Sequence, residues 1–112
     1  MRVTSEFFVS ALVRRVFSAG SFAAVERRGA SEAGAVFIRQ RFRDGLETLF
    51  GPAPQSLFGA GDDDRRFEVR AARREAGDCD AVIAREARFD PDLWVVELEA
   101  DDVGGLFPVA DA

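Results

Sequence analysis

Ala35-Val36-Phe37-Ile38-Arg39-Gln40-Arg41-Phe42-Arg43-Asp44-Gly45-Leu46-Glu47-Thr48-Leu49-Phe50 is the stretch whose reading decides the fold. Branched and aromatic residues crowd its first half, an Asp-Gly pair interrupts it, and apolar residues return after the break, the pattern of two strands joined by a tight hairpin. A type I′ turn on Asp44-Gly45 sets Arg41 opposite Thr48 and Arg39 opposite Phe50. Outward from this hairpin, Gly51-Pro52-Ala53-Pro54 ends the strand, since proline cannot donate to a ladder. Leu57 to Asp64 reads as an exposed, glycine- and aspartate-rich loop with a mobile tip. Arg66 to Ala71 resumes alternation, with Phe67, Val69 and Ala71 on one face. On the N-terminal side, Gly29 to Gly34 forms a turn or loop after a weaker strand, Ala23-Ala24-Val25-Glu26-Arg27-Arg28. Short alternating runs separated by turn residues predict an antiparallel meander.

Helices flank the meander. Thr4 or Ser5 can cap the first, with Glu6 against the positive end of its dipole and Gly20 closing it. At 100° per residue Phe8, Val9, Leu12, Val13 and Val16 share one arc while Ser10, Arg14 and Arg15 lie outside it, so the helix packs on a core rather than a membrane surface. Asp78 can cap a second helix running to about Phe89, with Cys79, Val82, Ile83 and Ala87 on its apolar side. Asp90-Pro91-Asp92 stops it, because a residue before proline avoids the α region. Leu93 to Glu99 is the last strand, with Trp94, Val96 and Leu98 pointing one way and Val95, Glu97 and Glu99 the other. The expected architecture is α+β, a two-layer sandwich in the order α-β-β-β-β-α-β. About five mostly antiparallel strands carry both helices on one face and leave the other face rich in charge. Residues 1–112 are expected to be a single domain whose segment 101–112 is a loosely ordered acidic tail, although Leu106, Phe107 and Val109 can dock.

Composition restricts the chemistry. Of 112 residues, 47% are hydrophobic and 31% charged, the balance of a folded globular chain. The single cysteine, Cys79, cannot form an intramolecular disulfide, and no apolar run approaches the ~20 residues of a membrane span, so a reducing, cytoplasmic setting is expected, with no signal peptide and no membrane. Histidine, tyrosine, lysine and asparagine do not occur. Histidine-based triads, Cys-His pairs, Schiff-base lysines and a P-loop are thereby excluded. Fifteen arginines stand against 20 acids, a formal charge of -5. Attraction to phosphate backbones is thus unfavourable overall, and nucleic acid is not an expected partner.

Four groups of residues remain as candidates. Arg39, Arg41 and Arg43 alternate along one strand face, where guanidinium forks can take phosphate or carboxylate in two-point fashion, with Arg66 and Arg70 extending the patch if their strand is adjacent. Glu47, Glu68, Glu97 and Glu99 on neighbouring strands can equally neutralise them. Cys79 opens a helix whose dipole favours a thiolate, but Asp78 and Asp80 flank it, and its apolar position suits a small buried side chain. Asp90 and Asp92 can divide acid and base roles or cap backbone amides in their turn. Trp94, alternating with Val96 and Leu98, reads as a core anchor before a ligand platform. The runs Asp62-Asp63-Asp64 and Asp101-Asp102 lack the spacing of a calcium or magnesium loop, so no metal and no cofactor is expected.

Thr4-Ser5-Glu6-Phe7, Glu32-Ala33-Gly34-Ala35, Gly51-Pro52-Ala53-Pro54 and above all Arg88-Phe89-Asp90-Pro91-Asp92-Leu93-Trp94-Val95-Val96-Glu97 resemble a bacterial, mainly alphaproteobacterial, Domain-of-Unknown-Function family, number 1491. The resemblance runs over nearly the whole chain and is most specific in its last motif. It implies a small, uncharacterised, cytoplasmic protein and carries over no activity and no catalytic residues. The function expected is a non-enzymatic module that binds a protein partner or itself as a homodimer through an open sheet edge. The alternative is a binder of an anionic small molecule or nucleotide through Arg39, Arg41 and Arg43. An enzyme using Cys79 or the Asp90/Asp92 pair is a third and weaker reading.

Overall fold

A computed structural model describes residues 3–54 and 65–110. The expected loop of Leu57 to Asp64, with its Asp62-Asp63-Asp64 run, lies outside these residues. The elements follow in the order α1 (Ser5–Ser18), β1 (Phe22–Arg27), β2 (Val36–Arg41), β3 (Glu47–Pro52), β4 (Phe67–Arg74), α2 (Ala76–Phe89) and β5 (Trp94–Glu99). The fold is α+β with a five-stranded sheet, spatial order β1-β5-β2-β3-β4. Among the pairs of named strands the central β2–β5 pair is parallel and β1–β5, β2–β3 and β3–β4 are antiparallel. The parallel pair arises because the chain leaves edge strand β4, runs through α2 and returns as β5 beyond β2, a crossover that needs a helix.

The helices do not share a face. Val9, Leu12 and Val16 of α1 pack with Ile38, Phe50, Trp94, Val96 and Leu98 in one cluster. Cys79 of α2 packs with Phe37, Leu49, Leu93 and Val95 in a second, with Val82, Ile83 and Ala87 against it. Successive strand residues point to opposite faces. The two clusters therefore lie on either side of the sheet, and the molecule has three layers, not the two expected. The reason lies in the central strands, which are apolar in both directions: Val36, Phe37 and Ile38 are all buried, as are Trp94, Val95 and Val96. A continuous apolar run marks a strand covered on both faces.

Local chemistry sets the boundaries. Thr4 is the N-cap of α1 and its hydroxyl accepts from the Phe7 amide at 3.1 Å, while Ser5 donates to the Gly34 carbonyl at 2.5 Å. The 29–34 loop folds so closely over the chain entering β5 that a Cβ on Gly29 or Gly34 would sit 2.0 Å from the Asp92 carbonyl oxygen. Asp78 does not cap α2: the helix begins earlier, with Glu75 at the cap position and no side-chain cap bond. The hairpin differs from expectation by one residue. Arg41 faces Glu47 and Arg39 faces Leu49. Of the turn residues only Gly45 has positive φ, at 89°, so Arg43-Asp44-Gly45 make a three-residue connection with the glycine as its left-handed bulge. β4 carries register shifts opposite Glu47, Leu49 and Phe50, and these send Phe67 into the α1 cluster and Ala71 towards the α2 cluster instead of onto one face. The chain beyond β5 also docks: Leu106 and Phe107 are buried, and the Phe107 ring meets Phe50 and Phe67 edge-on at 5.2 Å.

Candidate functional site

The three arginines of the hairpin have three different fates. Arg39 is buried, with 3% of its side chain exposed, and every N–H of its guanidinium is used. Nε and Nη2 donate to Glu47 Oε1 at 2.8 and 2.6 Å, Nη1 donates to Glu26 Oε2 at 3.0 Å and Asp80 Oδ1 at 2.7 Å, and Nη2 reaches the Ala76 carbonyl at 3.2 Å. One side chain thus ties β1, β2, β3 and the first turn of α2. Burial opposes its charge, but the bonds to Glu47 and Asp80 and the charge of Glu26 outweigh burial, and its pKa lies above the ordinary arginine value. Arg41 is half-exposed and paired as well, its Nη2 to Glu97 at 3.0 Å and its Nε 3.1 Å from Glu47 Oε2, the latter an ion contact outside hydrogen-bond geometry. Arg43 is exposed in the turn.

These positions do not converge into an anion receptor. Arg39 has no donor left to offer. The open depression at this end of the sheet is lined by Arg41 and Arg43 but also by Glu47, Glu99 and Asp101, so its acids outnumber its cations. Arg70 lies apart, bound to Glu86, Glu68 and the Pro52 carbonyl, with its guanidinium over the Phe37 ring.

The remaining candidates are structural in their contacts. Cys79 is fully buried, and burial pushes its thiol up, Glu47 adding to the rise and Arg39 opposing it, which disfavours a thiolate. Asp90 Oδ1 accepts from the Asp92 amide at 3.1 Å, a self-capped turn with no second carboxylate brought into hydrogen-bond contact. Trp94 is 1% exposed and its Nε1 donates to the Ala30 carbonyl at 2.7 Å, while Arg28 stacks 5.0 Å from its ring centroid. Among the described residues no group of acids and cysteine is placed to hold a metal ion.

Sequence reasoning expected an open sheet edge but did not identify which strand forms it. β4 is covered at its start, where the Phe67 amide donates to the Pro108 carbonyl and Ala110 donates back to Phe67, and its register shifts break the remainder. Among the described residues β1 has β5 on one side and no strand on the other. Along it Phe22 and Val25 are exposed, and Phe17 of α1 stands beside Phe22 with ring centroids 5.7 Å apart. The available signal was Phe17, an aromatic residue off the buried arc of α1, followed closely by Phe22.

The family model for the protein of unknown function DUF1491 matches residues 3–108. The chain belongs to the DUF1491 family. It is similar to protein Atu0922 from A. tumefaciens, whose solution structure superposes with a TM-score of 0.89 at 56% identity, covering 100% of this chain and 98% of that one. A DUF1491 family protein from Caulobacter crescentus CB15 is 34% identical to this chain in its crystal structure, with a TM-score of 0.79 and coverage of 99% and 100%. An NMR structure of a family protein from the same bacterium gives a TM-score of 0.77 at 36% identity, with 99% of each chain covered. No curated protein matches the chain. The DUF1491 assignment agrees with the resemblance carried by the Arg88–Glu97 motif and adds no activity to it. No helix among the described residues is long and apolar enough to cross a membrane.

Proposed function

We propose that this DUF1491 protein is a non-enzymatic interaction module of the reducing cytoplasm that binds polypeptide along β1. The observation that carries the reading is the asymmetry of the two sheet edges. Unpaired backbone N–H and C=O groups on an exposed edge are a template for another strand, and folded proteins ordinarily blunt such edges with bulges, charge or covering segments. Here the β4 edge is blunted in all three ways, by its register shifts, by Arg70, Arg73 and Arg74, and by the segment around Val109. The β1 edge has its bulge and charges only at the Glu26–Arg27 end, has no covering segment among the described residues, and keeps exposed apolar side chains at Phe22 and Val25. Strand addition supplies main-chain bonds, and alternate side chains supply the selectivity. The arginine stripe supports this reading indirectly, because its buried member is consumed in holding β1, β3 and α2 to β2.

A photo-cross-linking residue placed at Val25 in living cells tests it, with the same residue at Val69 on the opposite edge as control. The expected result is discrete polypeptide adducts at position 25 and none at 69. No adduct at 25, or the same adducts at both, contradicts the proposal.

A further inference from the structure

We infer that the strand seated on β1 is the β1 of a second copy, run antiparallel about a two-fold axis at Ala24; the inference rests on the edge reading above and names its partner. The edge is complementary to itself only in that direction. At its start, Phe22 lies in register with Glu99 of β5, and Glu99 is exposed. At its end, Arg27 and Arg28 are exposed, Arg28 paired with Glu6 and Arg27 held only by an exposed bond from Nη2 to the Pro91 carbonyl at 2.9 Å that a carboxylate can replace, and the pairing with β5 shifts between Val25 and Arg27, so that Glu26 and Arg27 share one bulge. A two-fold axis perpendicular to the sheet pairs each residue with one on the same face. With the axis at Ala24, that small side chain meets its own copy and Ala23 meets Val25 of the second copy. Phe22 then meets the second copy's Glu26, whose carboxylate is turned back to its own Arg39 at 3.0 Å, with Arg27 next to it in the same bulge.

The contact at the ends is the selective one. Strands are about 4.8 Å apart, so the second copy's Arg27 and this chain's Glu99 stand in rows about 10 Å apart with Phe22 between them. An arginine and a glutamate side chain span that gap together, and the guanidinium crosses the Phe22 ring, against which Phe17 already stands edge-on at 5.7 Å. The symmetry repeats the acid–base contact at both ends. A parallel in-register arrangement would set Arg27 beside Arg27 and leave each Glu99 without a cation from the second copy. The product is one continuous ten-stranded sheet, from the five strands of each copy.

Sedimentation velocity over a concentration series tests the inference on four proteins: the unmodified chain, Arg27→Glu, Glu99→Arg, and the double variant. Thermal unfolding of each serves as the check on folding. The expected result is a monomer–dimer equilibrium that each single reversal weakens by about tenfold and that the double reversal restores, because only the pairing of unlike charges has been exchanged. Association that both single variants leave unchanged overturns the β1–β1 pairing. A strict monomer at every concentration overturns it too. If the cross-linker at position 25 still yields adducts of another mass in that case, the edge reading survives with a different partner. If it yields none, both fall.

Discussion

Glu47→Ala removes the carboxylate that takes two of the five bonds made by Arg39 and is itself only 4% exposed. Its loss leaves a buried guanidinium with two bonds to Glu26 and Asp80, whose side chains are 34% and 65% exposed, and one to a carbonyl. Truncating one partner of a buried pair costs about 3 to 5 kcal/mol, because the other charge stays desolvated. The surviving partners place this case at the lower end, about 3 kcal/mol, a fall of roughly 10 °C in Tm for a chain of this size. Asp80→Ala, on a mostly exposed side chain, costs about 1 kcal/mol or less. Replacing both members, Arg39→Met with Glu47→Leu, recovers much of the Glu47→Ala loss, since no charge is left stranded. The assay is urea unfolding followed by Trp94 fluorescence, with free energies compared in a double-mutant cycle. A loss below about 1 kcal/mol for Glu47→Ala, or equal losses for Glu47→Ala and Asp80→Ala, would mean that Arg39 is solvated and free to take a ligand.

Three further outcomes follow from the same packing. Trp94→Ala, at a fully buried ring, lowers stability by about 3 to 5 kcal/mol in denaturant titration followed by circular dichroism, and a loss under about 1 kcal/mol would put the ring at the surface. Gly34→Ala drives a Cβ into the Asp92 carbonyl oxygen 2.0 Å away, so it costs about 3 kcal/mol or more, whereas Gly77→Ala, with open space around it, is close to neutral; equal effects in a thermal melt would contradict the close approach of the 29–34 loop to β5. The Cys79 thiol is raised in the folded protein, so its contribution is complete below the unfolded thiol value of about 8.5 and is lost as pH climbs towards the folded value. Stability therefore falls over that alkaline window in the native chain and falls less in Cys79→Ala, with an identical pH profile in both counting against a buried neutral thiol.

Much of the fold was legible because local chemistry and burial agree. The arc of Val9, Leu12 and Val16 is the buried stripe of α1, and the Asp-Pro-Asp turn self-caps as its residues suggest. The Asp-Gly signal located the hairpin but not its register, since the pair fits a two-residue turn and a three-residue turn with a glycine bulge, and only the φ of Asp44 separates them. Helix placement was misread by treating Phe37 and Val95 as members of a polar face, when the unbroken runs Val36-Phe37-Ile38 and Trp94-Val95-Val96 called for cover on both sides. The fate of Arg39 was beyond local reading. Its partners Glu26 and Asp80 lie 13 and 41 residues away and meet it only because β1, β2 and α2 converge. The β1 edge was obscured for a similar reason: a strand of Ala-Ala-Val-Glu-Arg reads as weak until its neighbours show that one side is paired and the other open.

The most direct test of the account is hydrogen exchange at the backbone amides of the associated and the dilute protein, resolved by residue. Association through β1 predicts slowed exchange confined to 22–27 and the adjoining end of α1, with the amides around Arg39, Arg41, Arg43 and Val69 unchanged. Protection along β4, or centred on the arginine stripe, would contradict it.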